Sequence, residues 1–147
     1  MKHLIFVGTL AMALAVAEAP ATKLSAQAAN AAATSLGTVH LTKKVMADGK
    51  PLDAGTYQVR LSSDQAPQPG VGQSPDAERY IEFVRAGKVV GREVATVVSS
   101  ADIDSIAKGK KPAPGSALVE MIKGNPYLRV WINKGGTNYI IHLPIAS

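Results

Sequence analysis

Residues 127–143, which read YLRVWINKGGTNYIIHL, decide the predicted fold. Apolar and polar side chains alternate on both sides of Lys134-Gly135-Gly136. This alternation is typical of half-buried strands, because successive side chains of a strand point to opposite faces. Two such runs joined by a short glycine loop predict an antiparallel hairpin. The side chains expected on its buried face are Leu128, Val130, Ile132, Tyr139, Ile141 and Leu143.

The same alternation recurs upstream, with turn residues between the runs. The predicted strands lie in Thr38–Thr42, Gly55–Leu61, Tyr80–Arg85, Lys88–Ser99 and Ser116–Lys123. Gly91 is expected to mark a bulge, and residues 101–111 are the one stretch expected to hold a helical turn. The sum of seven or eight short strands with little helix predicts an all-β domain over residues 35–147. Its expected form is a single antiparallel β-sandwich or a small barrel.

The strand in Ser116–Lys123 has two possible buried faces. The alternatives bury either Leu118 and Ile122 or Ala117, Val119 and Met121. The second is preferred because it leaves Glu120 in solvent, and a buried, unpaired carboxylate is costly.

Composition limits the class of protein before any motif is considered. The chain has 147 residues, a formal net charge of +5 and no cysteine. Hydrophobic residues make up 46% and charged residues 18%, a balance that excludes a disordered chain. The absence of cysteine excludes a disulfide framework, a cysteine-ligated zinc or iron–sulfur site and a thiol nucleophile. No cofactor is predicted.

The amino-terminal residues have the pattern of a secretory signal peptide. Residues 1–3 form a short basic start, and residues 4–17 are an uncharged apolar run. This run is shorter than the roughly 20 apolar residues of a spanning helix, so export with cleavage is favoured over a retained membrane anchor. Small residues place the cut between Ala17 and Ala28, and residues 1–28 are then the signal peptide and an alanine-rich leader. The mature chain is expected to be periplasmic or extracellular, without a transmembrane span.

Residues 49–59, GKPLDAGTYQV, carry a resemblance to a known family. They resemble a recurrent phrase of prealbumin-like (transthyretin-like) β-sandwich modules in exported bacterial proteins, where it forms a turn that leads into a core strand. The chain is similar to small exported bacterial proteins that carry this phrase near the mature start. The resemblance implies the fold and transfers no functional residue.

Two histidines raise the hypothesis of a metal site. His40 and His142 are each flanked by residues expected to point inward, so both should lie on the polar faces of their strands. With Met46 or Met121 they would form a periplasmic copper or zinc site, because imidazole and thioether ligands suit copper. The alternative is two solvated surface histidines, since nothing in the spacing brings the rings together.

Two surface features are candidates for contact with other molecules. Tyr127, Arg129 and Trp131 alternate with the inward residues of their strand and are predicted to form an outer face for a ligand or partner. An outward Trp131 beside Tyr127 would stack on a sugar ring or a partner protein; the alternative places Trp131 in the core. The basic run Lys108, Lys110 and Lys111 is either a solvated loop or a contact for an anionic surface.

No catalytic motif is present. The chain lacks a G-x-S-x-G segment, and nucleic acid is not an expected partner of an exported chain with few aromatic residues. The sequence therefore favours a non-enzymatic exported β-sandwich module that binds, or takes part in structural interactions, in the cell envelope, with an envelope protein or a glycan as partner. A periplasmic copper- or zinc-binding protein is the first alternative, and a small hydrolase is the second. A structural subunit is a further alternative that an unpaired edge strand would favour.

Overall fold

The computed structural model describes residues 33–64, 67–74 and 76–147. The predicted signal peptide and leader, residues 1–28, lie outside the described residues. The described strands are β1 Ser35–Leu41, β2 Val45–Ala47, β3 Lys50–Leu52, β4 Gly55–Leu61, β5 Glu78–Arg85, β6 Lys88–Ser99, β7 Ala117–Met121, β8 Tyr127–Lys134 and β9 Thr137–Pro144, and the helix α1 is Ile103–Ile106. The predicted all-β class is confirmed. The strand count in the described part exceeds the predicted seven or eight because two three-residue strands, β2 and β3, form an extra hairpin.

Seven strands form one antiparallel sheet in the order β1-β4-β5-β6-β9-β8-β7. The sheet curls until β1 approaches β7 and β8, so it is nearly closed. The two end strands of this order, β1 and β7, are not hydrogen-bonded to each other within the described residues. The architecture is therefore that of a sandwich or small barrel with one open side between β1 and β7.

The inner face of the curled sheet is filled with apolar side chains. Of the inward residues predicted for the hairpin, Leu128, Val130, Ile132, Ile141 and Leu143 are buried, and Tyr139 packs partly buried against the core. The other strands contribute Val39, Leu41, Tyr57, Val59, Ile81 and Phe83, which are also buried. The Tyr57 ring meets Phe83 edge-on at 6.1 Å, and its hydroxyl donates to the Asp53 carbonyl oxygen over 2.7 Å. This last bond fixes the turn before β4 to the core, as in the tyrosine corner of sandwich folds.

The β2–β3 hairpin folds over β6 and β9 and adds to the core. Asp48 and Gly49 form its turn with positive φ angles of 45° and 76°, as the sequence predicts for Asp-Gly. Val45, Ala47 and Leu52 are almost completely buried. Leu52 lies against Gly91 of β6, which leaves room for it. The predicted bulge next to Gly91 is confirmed, because the β5–β6 register shifts after the Phe83–Gly91 pair.

A second, smaller apolar cluster lies on the outer face of the sheet. The members of this outer cluster are Val98, Ile103, Ala107, Trp131 and Ile140, with Leu118 packed against them. Ile103 belongs to α1, the predicted helical turn in the segment between β6 and β7. No helix in the described ranges is both long and apolar enough to cross a membrane.

The prediction that Ala117, Val119 and Met121 form the buried face of β7 is wrong in part. Val119 packs against the main core, but Ala117 and Met121 are exposed. The reason is the position of β7, since among the described residues it is hydrogen-bonded to β8 alone and β1 approaches its other side without pairing. Glu120 points outward as expected, and Leu118 packs against the outer cluster.

Candidate functional site

The two histidines lie on separate parts of the surface. His40 is on β1, where its Nδ1 lies 3.1 Å from the Thr56 hydroxyl, and His142 is on β9 opposite Arg129. Strands β7 and β8 lie between them in one direction, and β4, β5 and β6 in the other. At about 4.8 Å per strand, their backbones are on the order of 10 Å apart or more, and outward side chains on a curved sheet diverge.

This arrangement gives the copper or zinc hypothesis no support. No group of three or more histidine, cysteine, aspartate or glutamate side chains close enough to hold a metal ion exists among the described residues. His40 and His142 are therefore best interpreted as separate surface histidines.

His142 belongs to a polar row that crosses three strands. Glu120, Arg129 and His142 are direct neighbours on β7, β8 and β9. The Arg129 Nε donates to a Glu120 carboxylate oxygen over 2.9 Å, and the guanidinium lies 5.6 Å from the centre of the Trp131 ring. Partial burial and, secondly, the charge of Arg129 lower the pKa of His142 below its ordinary value of 6.5. The row thus holds a neutral imidazole at neutral pH beside an arginine engaged by Glu120 and Trp131.

Replacing His142 with glutamine should make the protein less sensitive to acid. Because its pKa is lower in the folded chain, His142 takes up a proton more readily when unfolded. Its contribution to stability is therefore complete above pH 6.5 and decreases as the pH falls from there toward the folded pKa. The melting temperature of H142Q relative to that of wild type should rise as the pH is lowered from 7.5 to 5. His40→Gln is the matched control, because His40 faces a threonine hydroxyl; an equal change in both variants would contradict the assignment.

The prediction that Tyr127, Arg129 and Trp131 form an outer face for a ligand or partner is wrong for Trp131. All three point outward, but the outer cluster covers Trp131 to 1% exposure. The indole Nε1 donates to the Asn138 Oδ1 over 2.9 Å, and Asn138 is itself buried. Trp131 therefore cannot stack on a sugar or a partner, because the segment that contains α1 already occupies its face. Only Tyr127, at 38% exposure, remains available as an aromatic contact.

The basic run is on the surface but is not a uniform cationic patch. Lys111 is paired with the Asp104 carboxylate of α1. Lys108 and Lys110 are exposed, close in sequence to Ile106, whose side chain is 62% exposed. Contact with an anionic surface stays a prediction for Lys108 and Lys110.

Two surface cavities are large enough to admit a small molecule. One, of about 260 Å³, is lined by residues that include Ser35, Gln58 and Arg60. The other, of about 370 Å³, includes Ser99, Asp102 and Thr137, and there the Ser99 hydroxyl donates to the Asp102 carboxylate over 2.7 Å. A small hydrolase would need a serine or carboxylate beside a histidine, and no histidine is among the described residues that line either cavity.

The feature that the sequence analysis did not identify is the free edge of β7. The Ile122 N–H donates to the Tyr127 carbonyl over 3.1 Å, and the Asn133 N–H donates to the Ser116 carbonyl over 3.0 Å. In an antiparallel ladder the residues that bond to one neighbour alternate with those that do not. The even-numbered residues of β7 therefore bond to β8, and Ala117, Val119 and Met121 direct their backbone N–H and C=O groups toward the open side between β7 and β1.

This free edge lacks the devices that usually block strand pairing. Edge strands are commonly protected by lysine, proline or inward charges. Residues 117–121, ALVEM, contain neither lysine nor proline, and the one charge, Glu120, points outward to Arg129. Met121 and nearby Tyr127 add exposed apolar surface at the end of the strand. A local alternation pattern does not determine the order of strands in a sheet, so the sequence alone could not predict that β7 is an edge strand.

In comparisons with known proteins, the chain matches no protein-family model, no curated protein and no solved structure.

Proposed function

We propose that this protein is a non-catalytic exported β-sandwich module that takes part in structural interactions in the cell envelope, and that β7 is its contact strand. The observation that carries the proposal is the unprotected edge formed by Ala117, Val119 and Met121. Exposed edges of this kind bind an added strand through main-chain hydrogen bonds, and the side chains of alternate residues give specificity. Export rests on the basic start and apolar run of residues 1–17.

The rest of the described surface supports a binding role over a catalytic one. Some of the charged groups of the outer face are held in pairs: the Arg60 Nε donates to Glu82 over 2.7 Å, and the Ser62 hydroxyl donates to the same carboxylate over 3.1 Å. The Arg92 guanidinium pairs with Asp64 and lies 4.5 Å from the centre of the Tyr80 ring. In both arrangements the charged groups are engaged with one another at the surface.

A photo-cross-linking experiment in the producing cells tests the contact strand. The full chain is produced with a photoreactive amino acid at position 121, and the matched control carries it at Val89, which is 47% exposed on β6. We expect cross-linked protein from position 121 and none from position 89. We also expect Ala117→Pro to abolish the product, because the Ala117 N–H points to the free edge and its loss leaves the pairing with β8 intact.

Two results would contradict the proposal. The first is the same cross-linking at positions 121 and 89, which would mean that the edge is not a specific contact. The second is recovery of the intact 147-residue chain from the cytoplasmic fraction, since a cleaved signal peptide requires a shorter chain outside the cytoplasm.

A further inference from the structure

We propose that the segment between β6 and β7 docks the protein on the surface of an anionic lipid bilayer. In this contact Ile106 enters the headgroup region, and Lys108, Lys110 and Lys134 face the phosphates. The contact is separate from the β7 edge and does not depend on it. Basic side chains presented together with an exposed apolar side chain are typical of proteins that bind lipid surfaces.

The segment presents Ile106 to solvent although the residues on either side of it are anchored. Ile103 and Ala107 are buried in the outer cluster at 6% and 9% exposure, whereas Ile106 is 62% exposed. The Ala107 N–H donates to the Ile103 carbonyl over 2.9 Å and closes the single turn of α1. The turn is therefore fixed to the sheet at both ends, and its middle carries an apolar side chain whose burial in a bilayer would remove apolar surface from water.

Three lysines surround this turn. Lys108 and Lys110 follow α1 directly, and both are exposed. The buried Pro112 comes next, and its carbonyl accepts a hydrogen bond from the Asn133 side chain over 3.2 Å. Because Asn133 precedes the exposed Lys134 at the end of β8, this bond brings Lys134 near the basic run. In the part of the chain that the structure describes, Lys108, Lys110 and Lys134 take part in no ion pair.

The two aspartates of the segment are engaged within the protein. Asp104 is paired with Lys111, and the Asp102 carboxylate accepts a hydrogen bond from the Ser99 hydroxyl of β6 over 2.7 Å. The charge around the exposed turn is therefore mainly basic, which complements lipid phosphates. A soluble polyanion would also meet the lysines, but only a bilayer also buries the Ile106 side chain.

Co-sedimentation with lipid vesicles tests the contact. The protein is purified as its cells process it, so that wild type and variants share one amino terminus. We expect it to bind vesicles that contain phosphatidylglycerol and not vesicles of phosphatidylcholine alone, and to bind less as the salt concentration rises from about 0.1 M to about 1 M. The partition constant should fall roughly tenfold or more in K108Q/K110Q and roughly fivefold or more in I106S.

Matched controls remove the same groups elsewhere. K50Q/K88Q removes two exposed lysines of β3 and β6, and V89S removes an exposed apolar side chain near the start of β6, whereas α1 follows the end of that strand. Both should bind vesicles as wild type does. Because the chain has no cysteine, an environment-sensitive dye on I106C reports the contact directly. Its emission should shift to the blue on anionic vesicles, and the same dye on V89C should not respond.

The outcomes separate this contact from the proposed function. Absence of vesicle binding, with specific cross-linking from position 121, would overturn the bilayer contact and leave β7 as the contact strand. Loss of binding in K108Q/K110Q but not in I106S, together with binding to dextran sulfate, would overturn the bilayer in favour of a soluble polyanion. Equal losses in K108Q/K110Q and K50Q/K88Q would overturn the site. The expected vesicle results with equal cross-linking from positions 121 and 89 would support the bilayer contact and contradict the β7 proposal.

Discussion

Replacing Trp131 with alanine is expected to lower the free energy of unfolding by about 3–5 kcal/mol, the range for large aromatic side chains in a core. The ring is 1% exposed in the outer cluster, between the sheet and the segment that contains α1. The variant also removes the indole donor of the buried Asn138 amide oxygen; an unsatisfied buried acceptor costs about 1–3 kcal/mol, which places the loss toward the upper end of this range. Urea unfolding of the variant and wild type measures the difference.

Tyr127→Ala is the matched control for this prediction. It removes an aromatic side chain from the same outer face of the same strand, but from a position that is 38% exposed. Its cost should be about 1 kcal/mol or less, as is usual for surface positions. The chain has one tryptophan, so wild-type emission reports on this site alone and should be blue-shifted and protected from a small quencher. Equal stability of the two variants, or red-shifted and quenchable emission, would contradict a covered Trp131.

The same residue shows what alternation can predict and what it cannot. A period of two assigned Trp131 to the outer face correctly, because the direction of a strand side chain depends only on its place in the alternation. Whether that face meets solvent depends on the segment between β6 and β7, which returns across the sheet and places Ile103 and Ala107 against the ring. That return is a long-range contact, and no local pattern encodes it.

Strand β7 illustrates a second limit of the same kind. Its alternation was compatible with either face being buried. In the structure Val119 packs against the main core on the inner face, and Leu118 packs against the outer cluster on the other face. The exposure of Ala117 and Met121 follows from the order of strands in the sheet, which alternation does not determine. By contrast, the hairpin of β8 and β9 and the inner face of its strands could be predicted, because its two runs are adjacent in sequence and are joined by a short glycine turn.

Replacing Gly91 with valine is expected to destabilise the protein by about 1–3 kcal/mol, the usual cost of added volume in a filled core. Gly91 lies on the inner face of β6 under the β2–β3 hairpin. A Cβ at this position would lie 3.0 Å from a Leu52 methyl carbon and 3.3 Å from the Ala47 Cβ. Both neighbours are almost completely buried, so the added methyl groups have little space. Intrinsic propensity predicts the opposite sign, because valine favours strands and glycine weakens them.

A double-mutant cycle with Leu52→Ala separates the two effects. The small side chain at position 52 opens space above Gly91, so G91V should cost at least about 1 kcal/mol less in the L52A background than in wild type, a coupling expected of residues in contact. Gly70→Val is the control, since a side chain at that loop position meets only the flexible Gln73 side chain. Additive losses in the cycle would mean that the valine acts on the β5–β6 bulge instead of the hairpin. A coupling would establish that the β2–β3 hairpin is packed on β6 as part of the core.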